Sequence, residues 1–379
     1  MKAIFNTQII LPDYVIPNGV ILIDGDKIVD FGKNKDVKIP DGCEMIDGEG
    51  LFTGPGLIDI HTHGGAGIDF CENPKKAAND LIKLGTTTVL PTLYFSMTKE
   101  TLIKNAATIL KHKEDKTAPS IRGLYMEGPY MNVKYGSNAD SSPWRGPIDR
   151  KDYMPILEAF GKDVIVWGIA PEREGIEEFV KDALKFNPDV VFSVAHSEAL
   201  PADIERLKKY GLKLATHHTN ATGHFSTPGI RGVCVDEAVW YNDDIYAEMI
   251  SDSLGIHVKP YMQRLIRKIK GDNKLILISD SGVDVGTPPP EFEDAHDILF
   301  NCKGQVSGFK KELAVACQNA LFHLGASVCE IFKFASTNPS RVLGFNDVGE
   351  IAIGKRANLV MVDGIFTVKK VIFEGELVK

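Results

Sequence analysis

The chain has 379 residues, 44% of them hydrophobic and 25% charged, which excludes a mainly disordered chain, a coiled coil and a collagen-like repeat. Lys and Arg total 43 against 51 Asp and Glu, a net charge of -8, which argues against a nucleic-acid partner but leaves room for a small anionic substrate. The longest apolar runs, such as Val164–Ala170 and Leu275–Ile278, are strand-sized, so no membrane partner is expected.

The N-terminal stretch MKAIFNTQII lacks a signal peptide's apolar core and cleavage site. Residues 1–53 then alternate in short runs, and Gly19–Asp30 reads as a hairpin turning at Asp24-Gly25. Residues 358–379 do the same around Asp363-Gly364. Neither end has apolar residues enough for its own core. The reading is therefore one small β domain, of β-sandwich type, built from 1–53 together with 345–379.

Between the ends, residues 54–344 alternate strand and helix patterns. Eight apolar runs stand out: Leu57–His63, Thr87–Leu93, Ile121–Glu127, Val164–Ala170, Val191–His196, Leu212–His217, Ile245–Ile250 and Lys274–Asp280. Helix-like stretches separate most of them, at Pro74–Leu84, Lys99–Lys113, Ile176–Phe186, Pro201–Tyr210 and Pro260–Lys270. Two more follow, at Lys310–Gly325 and Val328–Ala335. Eight strand–helix units predict an α/β fold, a (β/α)8 TIM-like barrel of about 250 residues plus insertions.

Metal-ligand residue types close those runs. His61 and His63 end the first, Glu127 the third, His196 the fifth, His217 the sixth and Asp280 the eighth. In a parallel barrel all strand C-termini share one face, so these six converge at one mouth. Residues two apart on a strand point the same way, which lets His61 and His63 grip one ion. Singly, each has a plainer role: a core histidine, a loop carboxylate, or a helix N-cap for Asp280. Together on one face they point to a metal centre. Six scattered cysteines form no C-x-x-C pair and read as reduced thiols, packed as small hydrophobes in a cytoplasmic protein.

Several motifs occur in a recognisable order: PGLIDIHTHG at 55–64, Glu127-Gly128-Pro129, Ala195-His196-Ser197, Thr216-His217 with Asn220-Ala221, and Gly255-Ile256-His257-Val258. Ile278-Ser279-Asp280, Asn338-Pro339-Ser340-Arg341 and Gly354-Lys355-Arg356-Ala357-Asn358-Leu359 complete the series. The chain resembles, over essentially its whole length, the N-acetylglucosamine-6-phosphate deacetylase family of the amidohydrolase superfamily. The resemblance implies a metal-dependent hydrolase with one or two divalent ions, zinc or iron, acting on an amino-sugar substrate as a homodimer. It implies Glu127, His196 and His217 as principal ligands, and His61 with His63 as the pair that helps hold a second ion. It implies Asp280 as acid/base, His257 as the group that polarises the substrate carbonyl, and Asn220 and Ala221 as substrate contacts. Ser307 and Gly308 fall where the family has another substrate loop.

The pattern departs from that family at the phosphate. The family places an arginine between Asn-Ala and Pro-Gly, whereas residues 220–229 here are shorter and hold none. A family histidine after Glu-Gly-Pro corresponds to Ser137 or Asn138. An insertion, Ser251-Asp252-Ser253-Leu254, precedes His257. Either His218, His224, Arg231 or Lys134 replaces the clamp, or the substrate is another N-acyl or cyclic amide. A non-catalytic homologue is the third reading, against which stands the retention of every ligand. The loop around Thr287-Pro288-Pro289-Pro290 reads as stiff and exposed.

Overall fold

The computed structural model describes residues 1–137, 139–224, 232–283 and 286–379. Eight parallel strands follow one another around the central sheet in chain order: Leu57–Thr62, Thr86–Tyr94, Leu124–Glu127, Val164–Ile169, Val191–Val194, Leu212–Ala215, Tyr246–Met249 and Leu275–Leu277. The eighth is tied back to the first where Asp280 N–H donates to the His61 carbonyl at 2.9 Å. The result is a (β/α)8 barrel, as the run count predicted.

A helix follows every strand. Two of them, Arg150–Phe160 and Val235–Tyr241, were not legible as helices. The first carries Pro155 in its interior, and the second has only 7 residues, too few for a repeating pattern. Its buried Val235, Ala238 and Val239 still mark one inward face.

Inside the barrel, Ile58, Ile60, Leu90, Tyr125, Val166 and Leu214 pack in one buried cluster. Tyr125, which is fully buried, keeps its hydroxyl satisfied 2.7 Å from Thr216 Oγ1.

Both chain ends meet in an eight-stranded mixed sheet. Val15–Asp24 and Lys27–Lys33 form the expected hairpin, with Gly25 at φ 56° in its turn. Leu359–Val362 pairs antiparallel with Phe52–Pro55, which joins the C-terminal strands to the N-terminal ones. Separate apolar clusters cover its two faces. One contains Ile4, Ile21, Ile23 and Met361, and the other Ala3, Val20 and Leu22. This is the small β-sandwich arrangement foreseen from the alternating termini. No helix among the described residues is long and apolar enough to cross a membrane.

All six cysteines are free. Cys234 and Cys317 are buried as expected of small hydrophobes, whereas Cys302 is exposed on the hairpin described below. Alternation in the sequence gave no warning of that, because the hairpin lies outside the barrel sheet.

Candidate active site

A cavity of about 470 Å³ opens at the C-terminal face of the barrel. Glu127, the last residue of the third strand, lies at its centre. Its Oε1 is 2.7 Å from His196 Nε2 and 3.3 Å from His217 Nε2. Its Oε2 is 3.3 Å from His63 Nε2 and 3.9 Å from His61 Nε2. One carboxylate thus faces two histidine pairs, one pair per oxygen. Asp280 Oδ1 completes the first-strand side, 3.5 Å from His61 Nε2 and 3.2 Å from His63 Nε2.

Local backbone geometry aims these groups. His196, His217 and Asp280 all have positive φ, at 42°, 26° and 49°. Each lies two or three residues past the end of its strand, where a left-handed residue turns the chain at the mouth. Such conformations cost about 1–3 kcal/mol each and persist at functional sites. Gly136, at φ 95°, packs against His196 so closely that a Cβ there would lie 2.6 Å from Nδ1.

The far side of each ring decides what Nε2 offers. His63 Nδ1 is 3.2 Å from the Thr92 carbonyl, and His217 Nδ1 is 3.2 Å from the Asn220 carbonyl. His61 Nδ1 is 3.2 Å from Glu248 Oε2, a contact in which both side chains are fully buried. Carbonyls and carboxylates accept, so these Nδ1 atoms donate, and in the neutral rings Nε2 carries the lone pair. His61 Nε2 has no hydrogen-bond partner of its own.

Two donor groups, His61–His63–Glu127 and Glu127–His196–His217, are buried, each with its ligand atoms within 4.8 Å of one another. Imidazole and carboxylate donors in this arrangement fit a divalent metal ion. The electrostatics agree. Burial works against a charged His63, yet bonds to Asp280 and Glu127 carry its pKa up to about 10. Burial likewise opposes charge on His217, but the Glu127 bond and the Asp280 field raise it to about 9. Burial would neutralise Glu127, but the facing histidines hold its pKa well below the usual carboxylate range. The carboxylates at the mouth demand positive charge.

His257, Asn220, Ala221, Ser307 and Gly308 line the same cavity. Asn220 Nδ2 donates to the His257 carbonyl at 3.3 Å, and Ser307 Oγ is buried without a partner. Ser307 and Gly308 belong to a hairpin, Ile298–Phe300 with Val306–Phe309, whose Leu299, Gln305 and Val306 also face the cavity. The preceding prolines Pro288 and Pro290 are exposed, as expected.

The candidates for a replacement clamp fare differently. Lys134 is paired with Glu198 at 2.6 Å on the surface. His218 is buried outside the cavity, 3.8 Å from Asp236 and edge-on to Trp240, and burial pushes its pKa down to about 3. Lys134 is thus already neutralised by Glu198, and His218 does not line the active-site cavity. His224 is exposed beside a neighbouring cavity that His257 also borders. Ser137 lines the main cavity. Arg231 and Asn138 lie outside the described residues.

Three residues escaped the sequence reading. Tyr94 stacks on His63 at 3.9 Å between ring centres. Glu248 orients His61. Asp252 Oδ2 lies 3.1 Å from His257 Nδ1. A lone Glu inside the apolar run Ile245–Ile250 was the available signal for Glu248.

The sequence pattern of the amidohydrolase family matches residues 53–378. The chain belongs to that family. It is 26% identical to the N-acetylglucosamine-6-phosphate deacetylase of Haemophilus influenzae, over 96% of this chain and 98% of that one. It is 25% identical to the N-acetylgalactosamine-6-phosphate deacetylase of a Shewanella species, over 85% of this chain and 82% of that one. The crystal structure of N-acetylglucosamine-6-phosphate deacetylase from Pasteurella multocida superposes with a TM-score of 0.86, at 25% identity and 99% coverage of both chains. The resemblance read from the motifs holds, and with it a hydrolase acting on an amide C–N bond.

Proposed function

We propose that this amidohydrolase removes the N-acetyl group of N-acetylglucosamine 6-phosphate, giving glucosamine 6-phosphate and acetate. The observation that carries the reading is Glu127 facing two histidine pairs, with Asp280 beside it and His257 on the same cavity. The named substrates of the relatives support the choice of sugar phosphate.

His61, His63, Glu127, His196 and His217 would hold one or two divalent ions, with zinc or iron suiting the donors. Bound there, such an ion supplies Lewis acidity toward water and toward the amide carbonyl. Asp280 takes the proton of the attacking water as the C–O bond forms, then gives it to the amine nitrogen as the C–N bond breaks. His257 donates a hydrogen bond to the carbonyl oxygen and stabilises the charge that collects there. Asn220, Ala221, Ser307 and Gly308 contact the sugar. Residues 54–344 would form the catalytic unit and 1–53 with 345–379 the supporting one, in a cytoplasmic homodimer.

A second reading has its own observation. Among the described residues lining the cavity, none is Lys or Arg. A non-phosphorylated N-acyl sugar would need none. Comparing kcat/KM for N-acetylglucosamine with and without its 6-phosphate, on one metal-loaded sample, decides between them. The first reading requires a preference for the phosphorylated sugar. Equal values, or a preference for the plain sugar, would remove phosphate from the substrate.

A further inference from the structure

The insertion before His257 does more than lengthen a loop. It follows the seventh barrel strand, and its Asp252 is fully buried. Three hydrogen bonds converge on that carboxylate. Ile256 N–H donates to Oδ1 at 2.7 Å, His257 N–H donates to Oδ2 at 3.0 Å, and His257 Nδ1 lies 3.1 Å from the same Oδ2. The two backbone bonds fix the carboxylate within the turn. The third reaches a ring that borders the active-site cavity. The ring's other nitrogen, Nε2, is buried and has no hydrogen-bond partner.

The neighbouring residue ties the same segment to the hairpin. Ser253 donates through N–H and Oγ to the two oxygens of Asp297, at 2.8 Å each. Asp297 immediately precedes the hairpin strand Ile298–Phe300, and its carbonyl accepts from Lys310 N–H just past the second strand. Consecutive residues of the insertion therefore anchor His257 and the foot of the hairpin that carries Ser307 and Gly308.

We propose that Asp252 is a positioning residue for His257, holding the ring with Nδ1 protonated so that Nε2 is the atom left to the substrate. The proposal rests on the reading of His257 as the donor to the acyl carbonyl. An ionised carboxylate only accepts, so the opposite neutral tautomer would lose the Asp252 bond. With its proton held on Nδ1, the ring turns Nε2 toward the acyl carbonyl, and it donates there once Nε2 carries a proton of its own. Burial disfavours the ionised Asp252, but the His257 ring and the two backbone N–H groups hold its pKa below the ordinary value. Ionisable groups also border the two cavities that the ring lines, among them Glu127 and Asp280 on the main one and Asp236, Glu237 and Lys259 on the neighbouring one. None of them bonds to Nε2.

Nitrogen-15 NMR of histidine-labelled, zinc-loaded protein tests this without relying on activity. The His257 signals are assigned by their loss in His257→Asn. The expected spectrum has a protonated, hydrogen-bonded Nδ1 at every pH where the protein is folded. A neutral His257 with its proton on Nε2 would overturn the proposal. The second measurement is a mutant cycle. Asp252→Asn is expected to lower kcat about tenfold or more while KM stays within about threefold, and to change kcat less than about twofold when His257 is already Asn. Equal losses in both backgrounds would mean a merely structural role and would overturn it as well. If Asp252→Asn does not fold, the wild-type spectrum still decides. If the wild-type protein releases no acetate, the proposed reaction fails while the spectrum judges Asp252 separately.

Discussion

Glu248 Oε2 lies 3.2 Å from His61 Nδ1, and neither side chain is reached by solvent. This contact sets the tautomer of a candidate metal ligand from a different strand. Glu248→Gln is expected to weaken metal binding on the His61–His63 side by about 10–100-fold, the usual effect of losing such an orienting carboxylate. A competition titration of the stripped protein with a chromophoric chelator checks it. Unchanged affinity at every site would show that Glu248 only fills space.

Gly136 offers a test that touches no ligand. Its φ of 95° is unfavourable for any side chain, and an added Cβ would lie 2.6 Å from His196 Nδ1. Gly136→Ala is expected to displace the His196 ring and lower metal content, with a smaller change in thermal stability. Elemental analysis of protein prepared without chelator gives the answer. Full metal content with full activity would show that the loop yields instead of the ring.

Asp280→Asn keeps the shape of the side chain but cannot move a proton. Metal content and melting temperature should stay near wild type while kcat falls by about 10²–10⁴-fold, the range for a general acid/base. Retention of more than about a tenth of the rate would exclude Asp280 from proton transfer.

A pH prediction comes from outside the mouth. Asp347 accepts a bidentate pair from Arg122, at 2.8 and 2.9 Å, and a bond from Arg356 Nε at 2.9 Å. Burial raises its pKa, but the two guanidinium groups outweigh it and hold the value at about 2, below the ordinary 3.8. A depressed carboxylate stabilises the fold above its unfolded pKa and loses that stabilisation as pH falls. The contribution should be complete above about pH 4 and vanish toward pH 2. Asp347→Asn should lower stability by about 1–2 kcal/mol at neutral pH, a modest figure because the group is partly exposed, and should flatten the loss between those pH values. Denaturant melts of both proteins at pH 7 and pH 3 measure it. A constant difference between the two proteins would contradict the account.

Much of this architecture is legible from local pattern. Barrel strands are short, buried and apolar, and in five of the eight the polar residue that closes the run is one that faces the mouth. That is why His61, His63, Glu127, His196, His217 and Asp280 stand out before any coordinates. Glu248 and Asp252 do not, because their meaning lies in a contact with another ring rather than in their spacing. Asp252 is the sharper case. Read as sequence it belongs to an insertion that spoils a family pattern, whereas in the fold it grips the histidine that the same pattern singles out. The helix Arg150–Phe160 hid for a different reason, since Pro155 disguises a segment whose Tyr153, Ile156, Leu157 and Phe160 form an ordinary buried face. The phosphate end is the least legible part, because contacts to a phosphate need occupy neither a strand end nor a periodic position.

This mouth is proposed to hydrolyse an acetamide on an amino sugar phosphate. The most direct measurement is the release of acetate and free amine from N-acetylglucosamine 6-phosphate by the metal-loaded protein, with Asp280→Asn and chelator-stripped samples in parallel. One acetate per amine is expected from the loaded wild type, with a near-complete loss in both controls. No acetate from wild-type protein shown to carry its metal, or equal release from the stripped sample, would contradict it.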